Sequence, residues 1–335
     1  MAMRETEVMI VGGGPAGAAC AWRLRQHNVD CLVIDKELFP RLKPCAGWIT
    51  QQVLQDLELK SSDYPPGLTT FQSFYISFYG IPFKLRTYQH AIRRIEFDNW
   101  LLQRSGAPFL LHNVKEITQE KDRYIIDGEI AGKYLVGAGG TYCPVYRSLF
   151  RSASPKSKEG LIVALEEEFS YPYTDGHCRL WFMENHLNGY AWYVPKINNI
   201  VNVGIGGTAE HLNPPQRVNP PQRVNARGDS IKKQWDYLVE KLDRMGLVRG
   251  RTYKPVAHSY YLRQNLPEVR KGNAFITGDA AGLSTLDMGE GIGPAIKSGL
   301  MAADAILHGT EYSLASIPKY SLGSLIWSGW RRAPQ

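Results

Sequence analysis

No uninterrupted apolar run in these 335 residues approaches the roughly 20 that a membrane-spanning helix needs. The five cysteines (Cys20, Cys31, Cys45, Cys143, Cys178) are odd in number and show no C-x-x-C spacing. That argues against a disulfide framework, a structural zinc or an iron–sulfur cluster, and for a reducing compartment. Lys and Arg outnumber Asp and Glu, 39 to 32, yet they are spread along the chain and no run resembles a nucleic-acid arm. Neither nucleic acid nor a metal is therefore expected. A mild attraction of the +7 chain to anionic surfaces, membranes included, stays open. Met1–Glu7 is charged and leads straight into an apolar stretch, so no signal peptide is expected and the cytoplasm is the expected location.

What is present is concentrated at two places. Val8 to Val11 reads as a buried strand, and Gly12, Gly14 and Gly17 follow in G-x-G-x-x-G spacing, with Pro15 and Ala16 between them. Ala18, Ala19, Ala21 and Leu24 continue at helical period, and a second apolar strand, Cys31 to Ile34, ends in Asp35 and Lys36. Gly12 allows the tight turn, Gly14 lets a pyrophosphate approach the backbone, and Gly17 lets helix and strand pack closely. The helix start favours phosphate through its free amides and dipole, and Asp35 is placed to accept hydrogen bonds from a ribose. Strand, turn, helix and acid together point to a dinucleotide.

The second place is N273-A-F-I-T-G-D-A-A-G282 and the glycine-rich stretch after it. A short strand, Ala274 to Thr277, runs into a tight turn that sets Asp279 and Gly278 among residues too small to obstruct a planar ring. Gly289, Gly291, Ile292 and Gly293 lead to Pro294, where a first helical turn tolerates proline, and the helix runs to about His308 with Gly309 as its stop. Its positive end would suit an anionic ring edge.

Between them the chain alternates. Pro40 to Gly47 reads as a loop carrying Arg41, Lys43, Cys45 and Ala46, and Trp48 to Leu59 as a helix. Arg41 and Lys43 could reach phosphates or be solvated, and a single cysteine is by default a small buried hydrophobe. Residues 71–88 suggest a hairpin turning near Gly80-Ile81-Pro82, and Arg93 to Gly106 a helix stopped by the glycine. Residues 109–136 read as strands with Asp127-Gly128 as a turn. From about 161 come four strands of an antiparallel sheet, then the doubled hexapeptide N-P-P-Q-R-V at 213–224, a surface loop by its paired prolines. Ser230 to Met245 is an amphipathic helix, and the aromatic, basic tail from Ser316 suits packing or a membrane surface.

Several of these motifs carry a family resemblance. G12-G-G-P-A-G17, R94-I-E-F-D98 and G278-D-A-A-G282 with G289-E-G-I-G-P-A-I-K-S-G299 resemble the para-hydroxybenzoate hydroxylase-like flavoproteins. R41-L-K-P-C-A-G47 and G189-Y-A-W-Y-V-P-K196 leading to N202-V-G-I-G206 are similar to the geranylgeranyl reductase family of FAD-dependent oxidoreductases. The resemblance spans Val8 to about Gly309. It implies an α/β chain: a Rossmann-type FAD-binding domain assembled from three segments (1–70, 95–160, 265–310), with an inserted antiparallel-sheet substrate domain (71–94, 161–264) and a short tail (311–335). FAD would lie with adenosine near Asp35, pyrophosphate at Gly12 to Gly17 and the ring near Gly289 to Gly293. Arg94 would face the cofactor, Cys45 becomes a candidate active-site residue, and Tyr190 and Trp192 would wall the flavin's reactive face. In bare sequence Trp192 reads equally as core packing in a sheet.

Two departures stand out. Gly137-Ala138-Gly139-Gly140 occupies a stretch where the superfamily usually carries an acid, which leaves the electron donor, ferredoxin or nicotinamide, unresolved. Larger family members also continue past the Pro294 helix, which implies a shorter or more open pocket here. The resemblance implies reduction of carbon–carbon double bonds in an isoprenoid or other apolar or lipid substrate, hydride coming from the flavin. A monooxygenase or halogenase of the same superfamily, and a non-catalytic flavin or lipid carrier, are the alternatives.

Overall fold

The computed structural model describes residues 3–212, 230–321 and 323. The doubled hexapeptide and most of the aromatic tail lie outside the described residues. Strand β1 (Arg4–Val11) buries its apolar half and pairs in parallel with β2 (Cys31–Asp35). Helix α1 (Pro15–Gln26) joins them, entered through extended Gly14 with proline in its first turn. The tight fit is visible at Gly17, where a Cβ would lie 1.9 Å from the Gly12 carbonyl oxygen.

The expected helix over 48–59 forms only in part. Trp48–Thr50 is a strand, β3, and the helix α2 covers Gln51–Asp56. Aromatic and β-branched Trp48, Ile49 and Thr50 favour the extended form once an edge is available, and the Trp48 indole N–H reaches Gln89 at 3.3 Å. Next come β4 (Thr69–Phe78) and β5 (Ile81–Ala91), joined through Tyr79 and Gly80, both with positive φ. That is the two-residue hairpin loop favoured by strand twist, and it leaves Ile81 and Pro82 inside β5. Helix α3 (Arg94–Ser105) ends on left-handed Gly106. Strands β6 (Phe109–Leu111), β7 (Ile117–Glu120), β8 (Arg123–Ile126) and β9 (Ile130–Gly137) follow, with Asp127-Gly128 as the β8–β9 turn.

Beyond a short π-helical turn at Tyr146–Phe150 run β10 (Leu161–Ser170), β11 (Cys178–Phe182), β12 (Gly189–Lys196) and β13 (Ile200–Thr208). Then come the single turn α4 (Ala209–Leu212), the capped helix α5 (Ile231–Arg244) and β14 (Val256–Tyr261). The described chain closes with β15 (Arg270–Lys271), β16 (Ala274–Ile276) and α6 (Ile292–His308), which ends on left-handed Gly309.

The strands form two sheets. One runs β15-β16-β9-β1-β2-β6 with the β7–β8 hairpin attached through β9, and its central pairings are parallel. Helix α1 packs on it, and α3 and α6 pack against α1. A Cβ on Gly299 would lie 2.1 Å from the Ala16 carbonyl oxygen, so α1 and α6 meet backbone to backbone. The other sheet runs β14-β10-β13-β12-β11-β4-β5-β3. It is antiparallel except where β11 lies parallel to β4, so the hairpin extends the later strands into one surface. Trp235, Leu238 and Leu242 of α5 cover one face against Tyr193, Val201 and Val203. Each such burial contributes roughly 1.5–3 kcal/mol. The opposite face carries Phe71, Phe74 and Trp192, with Met288 packed against them. No helix among the described residues is long and apolar enough to cross a membrane.

Candidate active site

A cavity of about 920 Å³ is lined by both glycine-rich regions and by the second sheet. Its wall includes Gly12, Gly14, Pro15, Ala16, Asp35, Lys36, Arg41, Cys45, Ala46, Arg94 and Gly139. It also includes Tyr190, Trp192, Gly278, Asp279, Gly289, Gly291 and Ile292. Gly17 and Gly47 stand behind it. Gly17 is closed off by Gly12, and a Cβ on Gly47 would meet the Ile92 carbonyl oxygen at 2.0 Å and the Lys196 Nζ at 2.8 Å.

At the end of β1 the surface is open. Among the described residues a Cβ on Gly14 would meet only an Arg41 nitrogen, at 3.5 Å, and no side chain caps α1. Asp35 accepts from the Gly13 amide at 2.8 Å, which ties the acid at the end of β2 to the glycine turn. Asp279 accepts from the Ser284 hydroxyl at 3.3 Å, and Lys156 Nζ donates to the Asp279 carbonyl at 2.8 Å. Burial pulls the Lys156 ammonium down to about 8. A Cβ on Gly139 would press to 3.2 Å from the Cys143 Cα, so the position that lacks the acid is also tightly backed. These features fit an extended dinucleotide: a bare backbone and helix start for the phosphates, acids at either side for hydroxyls. The start of α6 is less free than its glycines suggest, because Glu290 already accepts from the Gly293 amide at 2.7 Å.

Arg94 opens α3 and grips Asp98 one turn on with two bonds of 2.7 and 2.8 Å. Burial disfavours its charge, but the Asp98 carboxylate outweighs this and raises the guanidinium pKa. Arg41 approaches the same carboxylate at 3.7 Å and lies over the Phe39 ring, so it is anchored rather than solvated. Cys45 is half-buried, its Sγ accepting from the Gly47 amide at 3.3 Å. The loop that carries it is tied to the second sheet by Asn202, which donates to the Cys45 carbonyl at 3.4 Å and accepts from the Trp192 indole at 2.7 Å. The Tyr190 hydroxyl donates to the Met288 carbonyl at 2.6 Å, and its ring stacks on Phe182. Tyr190 and Trp192 therefore have their polar atoms engaged within the protein.

Sequence reasoning missed several charged groups here. Lys196 is buried and donates to Glu168 at 2.7 Å, and Arg93 donates to the other Glu168 oxygen at 2.8 Å. Burial would push the Glu168 carboxyl up, but these two cations outweigh it and hold it below the usual range. Glu166, on the same strand and face, lines the cavity with no hydrogen-bond partner among the described residues. The signal lay in L161-I-V-A-L-E-E-E-F169: strand alternation turns Glu166 and Glu168 to the same side as Ile162 and Ala164. Half-buried His258 and Tyr260 on β14 line the cavity as well.

A family model described as "NAD(P)-binding Rossmann-like domain" matches residues 10–54. An uncharacterised protein of Methanosarcina barkeri is 30% identical over 91% of this chain and 76% of its own length. The menaquinone reductase of Mycobacterium tuberculosis is 27% identical over 90% of this chain and 76% of its own. Digeranylgeranylglycerophospholipid reductase 2 of Methanosphaera stadtmanae is 24% identical over 95% and 82%. Among solved structures, a geranylgeranyl bacteriochlorophyll reductase-like protein of Thermoplasma acidophilum superposes with a TM-score of 0.75 at 20% identity, covering 92% of this chain and 80% of that one. A flavin-dependent brominase shares the fold at a TM-score of 0.69 and 18% identity, covering 92% and 81%.

Proposed function

Because the chain belongs to the geranylgeranyl reductase family of FAD-dependent oxidoreductases, we propose that it reduces carbon–carbon double bonds in an isoprenoid or similarly apolar chain. The observation that carries this reading is a single cavity shared by the glycine turns and by a sheet face whose Tyr190 hydroxyl and Trp192 indole N–H are already bonded within the protein. Bound FAD supplies hydride transfer and cycles between oxidised and reduced forms. Gly12, Gly14 and the start of α1 would hold its pyrophosphate, Asp35 and Asp279 its hydroxyls, and Arg94 and the Cys45 loop would flank its ring. The Trp192 and Tyr190 rings and Met288 offer an apolar surface along which an alkene chain can be oriented and water excluded. The menaquinone and digeranylgeranyl reductases among the relatives are named for compounds that carry polyisoprenoid chains, which agrees with such a surface.

A lipid-borne substrate would be collected at a membrane surface. The tip of the β4–β5 hairpin supports that contact: Phe78, Tyr79, Ile81 and Phe83 are exposed by 48, 67, 70 and 48%. Apolar side chains at one tip of a chain with net charge +7 suit an anionic interface.

Anaerobic rapid mixing tests the reading. FAD-loaded, dithionite-reduced protein should be reoxidised by geranylgeranyl diphosphate in the absence of oxygen. Reoxidation by oxygen alone, with no response to the alkene, would favour the oxygen-using alternative.

A further inference from the structure

Glu166 is a buried acid with no assigned task. It is 2% exposed, it lines the cavity, and neither carboxylate oxygen meets a hydrogen-bond partner among the described residues. Its placement is specific. On one side it pairs across β13 with Gly204, where a Cβ would stand 2.2 Å from the Trp192 ring and 2.8 Å from the Glu166 Cβ. The glycine thus lets the Trp192 ring and the carboxyl-bearing chain share one spot on the sheet. On the other side the register pairs Glu166 with Val256 and Ala164 with His258, so His258 is its diagonal neighbour on β14. The His258 Nδ1 likewise has no partner among the described residues.

The Tyr190 hydroxyl is donated to the Met288 carbonyl, and the Glu290 carboxyl accepts the Gly293 amide at the start of α6. The groups facing Glu166 are Lys196 from β12, Glu168 from its own strand, Arg94 from α3, Lys43 from the loop before β3, and His258 and Tyr260 from β14. Burial outweighs the three cations and pushes the Glu166 carboxyl up to about 8, so it carries its proton at pH 7. Burial, together with Lys43 and Arg94, brings His258 down to about 4, so the imidazole beside it is neutral and does not draw that proton off as a cation would. Unpaired buried acids are costly and persist where function uses them.

We propose that Glu166 is the catalytic acid that protonates the alkene. The proposal rests on the double-bond reductase reading and names the proton source within it. A hydride accepted from reduced flavin at one alkene carbon leaves the other carbon in need of a proton. The Glu166 O–H bond breaks, a C–H bond forms, the double bond becomes single and the flavin is left oxidised. The carboxylate then regains a proton from water.

Two measurements on FAD-loaded protein test it. Infrared difference spectra of wild type against Glu166→Gln, taken with the flavin oxidised and no alkene present, should show one protonated carboxyl at pH 7 that titrates near pH 8. In anaerobic single turnover with geranylgeranyl diphosphate, Glu166→Gln should bind FAD and be bleached by dithionite as wild type is. Its reoxidation should be roughly 10²–10⁴-fold slower, with Glu166→Asp recovering part of the rate. The wild-type rate should fall as pH rises through about 8, a limb that is flat in Glu166→Gln. Absence of the carboxyl band at pH 7, or equal turnover by wild type and Glu166→Gln, overturns the proposal alone. A wild type inert toward the alkene overturns the reductase reading and the proposal with it.

Discussion

Residues differ in how openly they announce themselves. Gly12, Gly14 and Asp35 could be read directly, because a turn, a close approach and a strand-end acid each demand one residue type. Glu166 could not. Strand alternation puts Glu166 and Glu168 on the side of Ile162 and Ala164, but only the pairing with β13 and β14 shows that this side faces the cavity and that Glu166 lies beside Gly204 and His258. Asn202 was half legible as part of a motif, but its bridge between Trp192 and the Cys45 loop joins positions 157 residues apart. The inward acid has a thermodynamic signature. The folded chain keeps the Glu166 proton up to about pH 8, whereas an unfolded glutamate loses it near 4.5. The raised carboxyl therefore favours folding fully below pH 4.5, and that contribution is lost as pH rises toward 8. Glu166→Gln should melt higher than wild type by a margin that widens from pH 5 to pH 8.5, checked by thermal denaturation of the FAD-loaded proteins. A margin independent of pH would place the carboxylate in contact with water.

At the scale of elements, periodicity and capping located α1, α3, α5 and α6 well, since each has a clear apolar face or a glycine stop. The failure at Trp48–Thr50 was one of partnership: three residues join whichever edge is offered, and their partners Gln89 to Ala91 in β5 come much later in the chain. The same non-locality hid the parallel β4–β11 pairing. Close contact of α1 and α6 brings the two glycine turns together, and Gly299 is where they touch. Gly299→Ala places a methyl 2.1 Å from the Ala16 carbonyl oxygen, so the helices must separate. We expect a loss of about 1–3 kcal/mol in stability and weaker FAD binding, read by denaturant titration and by flavin retention on gel filtration. The hairpin tip offers a separate test. Ile81→Ser with Phe83→Ser should lower partitioning onto anionic vesicles by roughly tenfold or more while leaving FAD binding intact, measured by flotation. Unchanged flotation would remove the tip from any membrane contact.

The whole molecule is organised by one long-range convergence. A nucleotide turn at residues 12–17 and an acid–glycine turn at 278–291 reach the same cavity, and the sheet between them in sequence supplies the aromatic wall. Sequence could suggest each part through resemblance, while their meeting depends on parallel pairing of β1 with β9 and of β9 with β16. Fold and cofactor follow from that convergence, and the substrate assignment depends on what the aromatic wall accepts. Mass spectrometry of the lipid product after anaerobic incubation of dithionite-reduced, FAD-loaded protein with geranylgeranyl diphosphate tests this most directly. The account predicts a product heavier by two hydrogens for each double bond reduced, formed in proportion to the flavin reoxidised. Recovery of unaltered geranylgeranyl diphosphate beside flavin that stays reduced would contradict it.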